Sequence, residues 1–475
     1  MFFDTVFQKI ISLMSFLVLA RLLMPEDFGI ITMVLIVPGF LDLITYPNFE
    51  NALIQKKHDP YLYLDSIWTF NIFKSFSLFI IIFLFAPLIT NFFHIEKALL
   101  AVRFSGFFIL LPGLANVAQV FFSKEIDFKK VFIIDAVASL SFAIVSVTLA
   151  IFFRSFWALF FGYLAQYLFA TVTTYFLHSF RPHFNFHFKN TMTNLANLVD
   201  YSKWLFGQNI IARVIPMIEN SIVGKTTGAS GIGLYSRAKS LASIPSSPLY
   251  NIINKVTFSA YSRIQDSFEK IKDGFLKSLD ILFFFTIPLV VLFWEAGHQI
   301  ILIILGPKWI GMDGLLKIFV IAITINALPA VSGPIFNAIG KPKIQFWANI
   351  INLFVFSLAL IFLIPIYGIA GAAYGFLISS IVITVFSSYK IMAILKIKII
   401  EVIKLTLAPI ASSLVVLIIG NFILSKLNYI NDVYFIIFIG LLGIFYAALI
   451  FLFGVLLKTG PYAIIKLVLS ELWKK

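Results

Sequence analysis

Apolar stretches of about 20 residues recur along the whole chain, and this recurrence constrains the fold more than any other feature. An α-helix of that length crosses roughly 30 Å of hydrocarbon. Only helices and closed barrels satisfy their backbone hydrogen bonds inside a bilayer, and the alternating pattern of barrel strands is missing here. We therefore predict an all-α polytopic membrane protein with about 14 spans, numbered in chain order: 4–23, 28–47, 64–90, 98–122, 130–153, 155–179, 201–223, 231–256, 277–294, 315–338, 344–364, 367–394, 403–424 and 433–457.

The composition argues against a soluble enzyme. Hydrophobic residues make up 60% of the chain and charged residues 12%, whereas a soluble protein has about 25% charged residues. The chain has no cysteine, which excludes disulfides and thiolate chemistry. We find no Ser/His/Asp set, phosphate loop or metal-ligand spacing. The sequence therefore predicts no enzyme activity, no catalytic residue, no metal and no cofactor.

The net charge of +14 is explained by membrane orientation. Of the 36 Lys and Arg residues, 24 fall at the N-terminus, in the even-numbered connections and in the C-terminal tail, and 8 fall on the opposite side. Such an excess marks the cytoplasmic face. We predict cytoplasmic termini and no nucleic-acid partner. The basic, amphipathic segment 458–475 is expected to lie on the cytoplasmic membrane surface.

Two segments early in the chain recur about 200 residues later. At an offset of 204, Arg21 matches Lys225, and the pair Phe28-Gly29 matches Ile232-Gly233. Each of the two matching segments lies between the first and second spans of a six-span block and includes the start of the second span. Because six spans separate the copies, both blocks cross the membrane in the same direction. This order predicts a parallel duplication about an axis normal to the bilayer.

A second pair of matching segments extends the duplication and sets its limits. LPGLANVAQVFFSK at 111–124 corresponds to LPAVSGPIFNAIGK at 328–341. We predict two six-helix lobes, 1–199 and 200–400, that are pseudo-symmetric around a central cavity. Spans 13 and 14 and the tail, residues 401–475, lie outside the repeat.

An arginine in the middle of span 7 needs either an ion-pair partner or a functional role that offsets its cost. Arg213 costs about 2.5 to 3.5 kcal/mol at mid-membrane on insertion scales, and at the same offset it matches Lys9. Glu219 is a poor partner within one helix, since six residues place it about 120° away. A carboxylate from another helix, such as Asp42, is an open alternative. Lys9 alternatively snorkels to the cytoplasmic interface.

Polar residues at helical spacing indicate the wall of a watery cavity. Span 7 carries Asn209, Arg213 and Asn220 on one face, and span 8 carries a serine stripe that includes Ser240. Lys74 has Asn71 on its face. Buried carboxylates in transporters often carry protons or sodium, although each is equally a salt-bridge partner or a helix cap. We therefore predict substrate binding by Arg213, Lys9, Asn209, Asn220, Ser240 and Lys74, and ion coupling at Glu219 and Asp42.

Four motifs resemble one known family. IGLYSRAKSLASIPSSPLYNIINKVTFSAYSRIQDSFEKIKDGFLK at 232–277 is similar to the polysaccharide-transporter branch of the multidrug/oligosaccharidyl-lipid/polysaccharide exporter superfamily. ARLLMPEDFGIIT at 20–32, ALIQKK at 52–57 and LGPKW at 305–309 look similar to the same family at corresponding places. The likeness covers about 400 residues, which agrees with the duplicated architecture predicted above.

The resemblance implies an inner-membrane flippase that moves a polyprenyl-pyrophosphate-linked oligosaccharide to the periplasmic leaflet, for O-antigen, capsule or exopolysaccharide. Its partners would be an undecaprenyl-pyrophosphate-linked glycan and membrane lipids, with a polysaccharide polymerase as an open further partner. On this hypothesis Arg213, with Lys9 opposite, holds the pyrophosphate. Two alternatives remain open: a cation-coupled drug or small-solute exporter that uses Glu219 or Asp42, and a scaffold for glycan assembly.

Overall fold

The described part of the chain is built from helices. The computed structural model describes residues 2–45, 60–125, 127–185, 203–244, 246–247, 250, 261, 267–426 and 432–457. Every regular element in them is an α-helix or a short 3₁₀ helix, which confirms the all-α prediction. The predicted surface segment 458–475 lies outside the described residues. The α-helices are α1 (Phe2–Leu22), α2 (Pro25–Thr45), α3 (Leu64–Phe93), α4 (Leu99–Phe104), α5 (Phe107–Gly113), α6 (Val120–Lys124), α7 (Phe128–Phe153), α8 (Phe156–Leu177), α9 (Lys203–Ser243), α10 (Phe268–Ile304), α11 (Asp313–Ile325), α12 (Ala327–Ala338), α13 (Pro342–Tyr367), α14 (Ile369–Leu395), α15 (Ile399–Lys426) and α16 (Asp432–Leu457).

The helices present apolar side chains outward, as a bilayer requires. Within the described residues, eight helical stretches are long and apolar enough to cross a membrane. Leu84, Phe176 and Ile366 are 66%, 85% and 69% exposed. Such extensive apolar exposure is unfavourable in water and natural in hydrocarbon. Together with the remaining helices, these stretches fit the predicted set of about 14 spans.

Predicted span 4 is not one continuous helix. Residues 98–122 form α4, α5 and α6, separated at Ser105–Gly106 and again at 114–119. At the second break the Leu114 carbonyl accepts a hydrogen bond from the Tyr175 hydroxyl at 2.7 Å. Non-helical backbone at membrane depth is tolerated only where such partners satisfy it. Predicted span 10 is likewise interrupted, at Asn326 between α11 and α12.

Predicted spans 7 and 8 are joined through a single glycine. The structure has one helical segment, α9, with a kink at Gly228, whose φ of 71° and ψ of −177° are not helical. This backbone conformation is accessible to glycine at little cost and to other residues only with strain. The connection between the two spans, which we predicted to be a loop, is therefore helical except at Gly228, where the chain changes direction.

The chain divides into two compact units, Met1–Ser236 and Arg237–Lys475. The first contains α1 to α8 and most of α9. The second has an apolar core of buried side chains from α10, α12 and α14, including Phe275, Phe336 and Ile391. The lobes predicted from the repeat, 1–199 and 200–400, remain a prediction.

After α8 the chain folds back across the start of α3. The backbone N–H of His183 donates to Asp65 Oδ1 at 2.7 Å, and that of Asn185 donates to Thr69 Oγ1 at 2.9 Å. The Asn116 side chain fixes the same segment, since its Nδ2 donates to the Phe180 carbonyl at 2.8 Å. Residues 178–185 thus form a strap that is tied to both α3 and the break in span 4.

Asn116 is fully buried, and its Oδ1 also accepts from the Ala118 N–H at 3.1 Å. Asn116→Ala would remove both side-chain bonds and leave buried backbone groups unsatisfied. We expect a loss of about 2 to 4 kcal/mol of stability, seen as a lower thermal unfolding midpoint of the purified protein in detergent. Asn91→Ala, at an exposed position of α3, is the control and should leave the midpoint unchanged. Equal midpoints for both variants would contradict this description of the break.

Candidate functional site

A polar cavity lies inside the first unit. Its volume is about 550 Å³, and it is enclosed by α2, α3, α5, α7, α8 and the break in span 4. This size is within the range of small-molecule sites. Polar side chains in the middle of apolar helices mark a place that excludes lipid tails. The polar residues that line the cavity are Asp42, Asn71, Lys74, Ser75, Gln119, Tyr167, Thr171 and Thr174.

Two of the predicted site residues meet at this cavity. Lys74 Nζ of α3 lies 3.0 Å from Asp42 Oδ1 of α2. The lysine side chain is 11% exposed and the aspartate side chain 44%, so the ammonium is the more deeply placed charge. A charge withdrawn from water needs a partner at hydrogen-bond distance. The pair supplies that partner, with the carboxylate more exposed than the ammonium.

The local sequence explains why the cavity has this shape. Pro38, inside α2, removes one helical N–H donor and lies in the cavity wall beside Gly39. Gly113 ends α5 against Ser75, and a Cβ atom at Gly113 would lie 2.1 Å from the Ser75 hydroxyl. Only glycine allows α5 to approach α3 this closely. The break that follows places Gln119 in the wall.

The cavity wall offers unused hydrogen-bonding capacity. Ser75 is 1% exposed, and its hydroxyl has no partner among the described residues. Buried polar groups are rarely left unsatisfied, so such a group indicates a place for water or a ligand. Asn71 and Gln119 add amide groups, each of which can donate and accept. This mixture suits a ligand that carries several hydroxyl groups.

The structure places the predicted cation of span 7 on an open surface. Arg213 is exposed on α9, and no described carboxylate lies within ion-pair distance of it. Glu219 is 2% exposed and accepts a hydrogen bond of 2.7 Å from the Tyr235 hydroxyl. Asp42 is paired with Lys74 instead. Neither carboxylate that could have neutralised Arg213 does so.

The remaining predicted residues are placed as follows. Lys9 is exposed on α1, and Asn220 is half-buried on α9. Ser240 is exposed in the part of α9 that belongs to the second unit. The side chain of Asn209 lies outside the described residues. Among the predicted residues that the structure describes, only Lys74 and Asp42 line the polar cavity.

The second unit contains an apolar groove that the sequence analysis did not predict. Its volume is about 390 Å³, and it lies between α10, α15 and α16. Spans 13 and 14, which fall outside the repeat, provide much of its wall. Periodicity could not reveal it, because a groove depends on the packing of three apolar helices. Its lining includes Phe285, Leu289, Val416, Leu442, Gly443 and Ala447.

The different burial of Asp42 and Lys74 predicts unequal effects of substitution. Asp42→Ala would leave the more deeply placed ammonium without its carboxylate, and we expect a loss of roughly 1 to 3 kcal/mol of stability. Lys74→Ala should cost less, since the remaining carboxylate is partly exposed. The double variant should recover part of the loss. Thermal unfolding in detergent measures all three.

The exposed pair Lys97–Glu26, with side chains 57% and 49% exposed, is the control for these variants. Removal of Glu26 should cost less than about 1 kcal/mol. Equal losses for Glu26→Ala and Asp42→Ala would contradict the assignment of a buried pair at the cavity.

Comparison with known proteins identifies the relatives of the chain. The Escherichia coli (strain K12) lipopolysaccharide biosynthesis protein WzxC is 24% identical over 382 residues, covering 80% of this chain and 77% of WzxC. The Rhizobium meliloti (strain 1021) succinoglycan biosynthesis transport protein ExoT is 22% identical over 341 residues, covering 70% of this chain and 67% of ExoT. Both names belong to polysaccharide biosynthesis.

The fold is shared with a solved flippase. The structure titled lipid II flippase MurJ, inward closed conformation, superposes with a TM-score of 0.76 over 95% of this chain and 98% of that chain, at 16% identity. ExoT is named as a transport protein and MurJ as a flippase, and these comparisons confirm the prediction that the chain is not an enzyme. Residues 18–314 match the family described as Polysaccharide biosynthesis protein. Because the match covers more than half of the chain, the protein belongs to this family.

Proposed function

We propose that the protein is an inner-membrane flippase for polyprenyl-pyrophosphate-linked oligosaccharide repeat units. It carries the glycan from the cytoplasmic to the periplasmic leaflet by alternating access, for O-antigen, capsule or exopolysaccharide synthesis. The observation that carries the proposal is Arg213, an exposed guanidinium within a predicted span, with no described carboxylate beside it. In a family of polysaccharide transporters, such a charge suits an anionic substrate.

The pyrophosphate is the part of the substrate that needs this charge. Moving a multiply charged anion through hydrocarbon without a counter-charge is prohibitive. A guanidinium stays ionised and offers two parallel donors to phosphate oxygens. Lys9, exposed on α1 and matched to Arg213 by the repeat, provides a second cation. We assign both residues to the pyrophosphate, with Asn209 and Asn220 beside Arg213 on α9.

The glycan needs hydrogen bonds rather than charge. The polar cavity presents Asn71, Ser75 and Gln119 around the Lys74–Asp42 pair. This pair has no net charge, so the cavity can take neutral hydroxyl groups. We assign the cavity, with Lys74, to part of the sugar, and Ser240 to a further sugar contact. These assignments follow from the hydrogen-bonding character of the wall.

The polyprenyl chain needs an apolar path. The groove between α10, α15 and α16 is lined almost entirely by apolar side chains. An isoprenoid chain bound there gains no hydrophobic stabilisation over lipid, but it is positioned by van der Waals contact. We assign the groove to the tail, close to helices that the duplicated lobes do not include.

The alternative of a cation-coupled small-solute exporter would place the ion at Asp42 or Glu219. Lys74 already occupies the cation position beside Asp42, and Glu219 is held by the Tyr235 hydroxyl. Both contacts weigh against free cation binding at these carboxylates. Ion coupling at Asp42 and Glu219 remains a prediction.

Substitution of Arg213 tests the function. Arg213→Ala should lower glycolipid translocation about ten- to hundredfold, since one charge-assisted interaction contributes about 1.5 to 3 kcal/mol. Arg213→Lys keeps the charge and loses the paired donors, so its translocation activity should lie between that of the wild type and that of Arg213→Ala. Translocation is measured in proteoliposomes as the fraction of labelled lipid-linked glycan that reaches the opposite leaflet. Arg154→Ala, at an exposed helix end, is the control. Full activity of Arg213→Ala at normal abundance would remove this residue from the mechanism.

Filling the apolar groove tests the tail assignment. Gly443 lines the groove and Gly440, on the same helix, does not. A Cβ atom at either glycine would have no neighbour within 4 Å, so the first atom of a new side chain meets no overlap at either position. Gly443→Phe should reduce translocation about tenfold, because the loss of about ten van der Waals atom contacts at about 0.1 to 0.2 kcal/mol each removes about 1.4 kcal/mol. Gly440→Phe should leave translocation unchanged, and equal effects of the two would refute the assignment.

A further inference from the structure

Four phenylalanine rings form a cluster on an exposed face of the first unit, where α3 packs against α4 and α5. The ring centroids of Phe79 and Phe107 lie 4.9 Å apart. Those of Phe83 and Phe104 lie 6.3 Å apart. Phe104 and Phe107 connect the two pairs, since their rings are stacked with centroids 6.2 Å apart. Phe83 and Phe104 are exposed. We call these four residues the phenylalanine cluster.

The break between α4 and α5 brings these rings together. The two helices are separated at Ser105–Gly106. A Cβ atom at Gly106 would lie 2.6 Å from Phe79 Cδ2, so glycine at this position lets the break approach α3 closely. Aromatic rings at the distances seen here attract each other through edge and offset contacts. The break therefore fixes an exposed aromatic surface at the end of α4.

Arg103 lies against this aromatic surface. Its guanidinium carbon is 5.3 Å from the centre of the Phe83 ring, within the range of a cation–π contact. Leu100, one turn earlier on α4, is 53% exposed, and the adjacent Phe104 is 40% exposed. A bilayer surrounds a face with such exposed apolar side chains. The arginine is therefore at the boundary between protein and lipid.

The described part of the protein offers no anion to Arg103. Its Nε is buried and has no hydrogen-bond partner among the described residues. No described carboxylate lies within ion-pair distance of its guanidinium. Lys97, which precedes it in the chain, is by contrast paired with Glu26. An aromatic ring attracts a cation without neutralising it, so Arg103 still needs an acceptor with negative charge.

The position of Arg103 along the helix suits a lipid headgroup. It lies four residues after the start of α4 at Leu99, about 6 Å along the helix axis. Helical side chains lean toward the N-terminus of their helix, and a long arginine side chain extends its charge toward the membrane surface. With the cytoplasmic termini predicted above, the start of α4 is on the periplasmic side. The guanidinium is thus within reach of headgroups in the periplasmic leaflet.

We propose that Arg103 and the phenylalanine cluster bind one anionic phospholipid of the periplasmic leaflet. The guanidinium donates to the phosphodiester oxygens. The exposed rings of Phe83 and Phe104 contact the acyl chains. Charge selects the headgroup, because phosphatidylglycerol provides the missing negative charge, whereas phosphatidylcholine carries a cation of its own. This site does not depend on the proposed function, and it requires no step of glycan translocation.

Fluorescence quenching by brominated lipids tests the site in the full-length protein. The chain has no natural cysteine, so Leu100→Cys carries a single fluorophore three residues from Arg103. The labelled protein is reconstituted in vesicles that contain phosphatidylcholine and increasing fractions of phosphatidylglycerol, with either lipid brominated on its acyl chains. Quenching then gives the relative binding constant of the two lipids beside the label. It should favour phosphatidylglycerol about fivefold, the effect of one basic residue near an anionic membrane surface.

Substitutions in the labelled protein assign this preference to the site. Arg103→Ala should lower the relative binding constant to about one, and Arg103→Lys should retain part of the preference. Arg154→Ala is the matched control, because it removes an exposed arginine at the end of α7, on the same predicted side of the membrane. The control should leave the preference at the label unchanged. Equal binding of the two lipids before substitution, or an unchanged preference in Arg103→Ala, would overturn the proposal.

Two competitors distinguish a phospholipid from other sources of phosphate. Inorganic phosphate, added to the vesicles in excess, should leave the quenching unchanged, because it gains no contact with the phenylalanine cluster. Undecaprenyl phosphate should compete no better than phosphatidylglycerol. Displacement by inorganic phosphate would indicate a site for free anions. Stronger competition by undecaprenyl phosphate that is lost in Arg103→Ala would assign the site to the glycan carrier, and either result would overturn the proposal.

Discussion

The cost of leaving a polar group unsatisfied in hydrocarbon governs this structure. It forces the chain into helices, and it requires a partner wherever a helix breaks or a charge is buried. The break in span 4 is held by Asn116 and by the Tyr175 hydroxyl. Lys74 is held by Asp42. Arg213 differs, because no carboxylate among the described residues pairs with it. In the proposed function a substrate anion provides the opposite charge.

This constraint also separates the parts of the proposed substrate. A pyrophosphate needs fixed positive charge, a glycan needs donors and acceptors, and an isoprenoid needs apolar walls. The chain offers these at different places: Arg213 on α9, the polar cavity around Lys74 and Asp42, and the apolar groove beside α16. The first two lie in the first unit and the third in the second. Each assignment depends on one kind of interaction and can fail independently of the others.

Much of the fold could be predicted from the sequence, because span length and hydropathy are local properties. The family could also be predicted, since its motifs are contiguous. The Lys74–Asp42 pair could not, although both residues were selected, because 32 residues and a helix crossing separate them. The interruption at Asn326 has a partner distant in sequence, since the Asn326 side chain donates to the Ser380 hydroxyl. The kink at Gly228 could not be predicted either, because a glycine in a helical pattern does not by itself indicate non-helical backbone. The offset of 204 predicts that Gly29 and Gly233 are equivalent. The close approach of Gly29 to Ala229 could not be predicted, because it depends on how the helices pack.

The central claim is that lipid-linked glycan is what crosses the membrane. The most direct measurement is the leaflet distribution of undecaprenyl-linked repeat units in cells that lack the gene. Our account predicts that these units accumulate on the cytoplasmic leaflet and that the wild-type gene disperses them. Unchanged glycolipid, together with a new sensitivity to cationic dyes, would contradict the account and indicate a small-solute exporter.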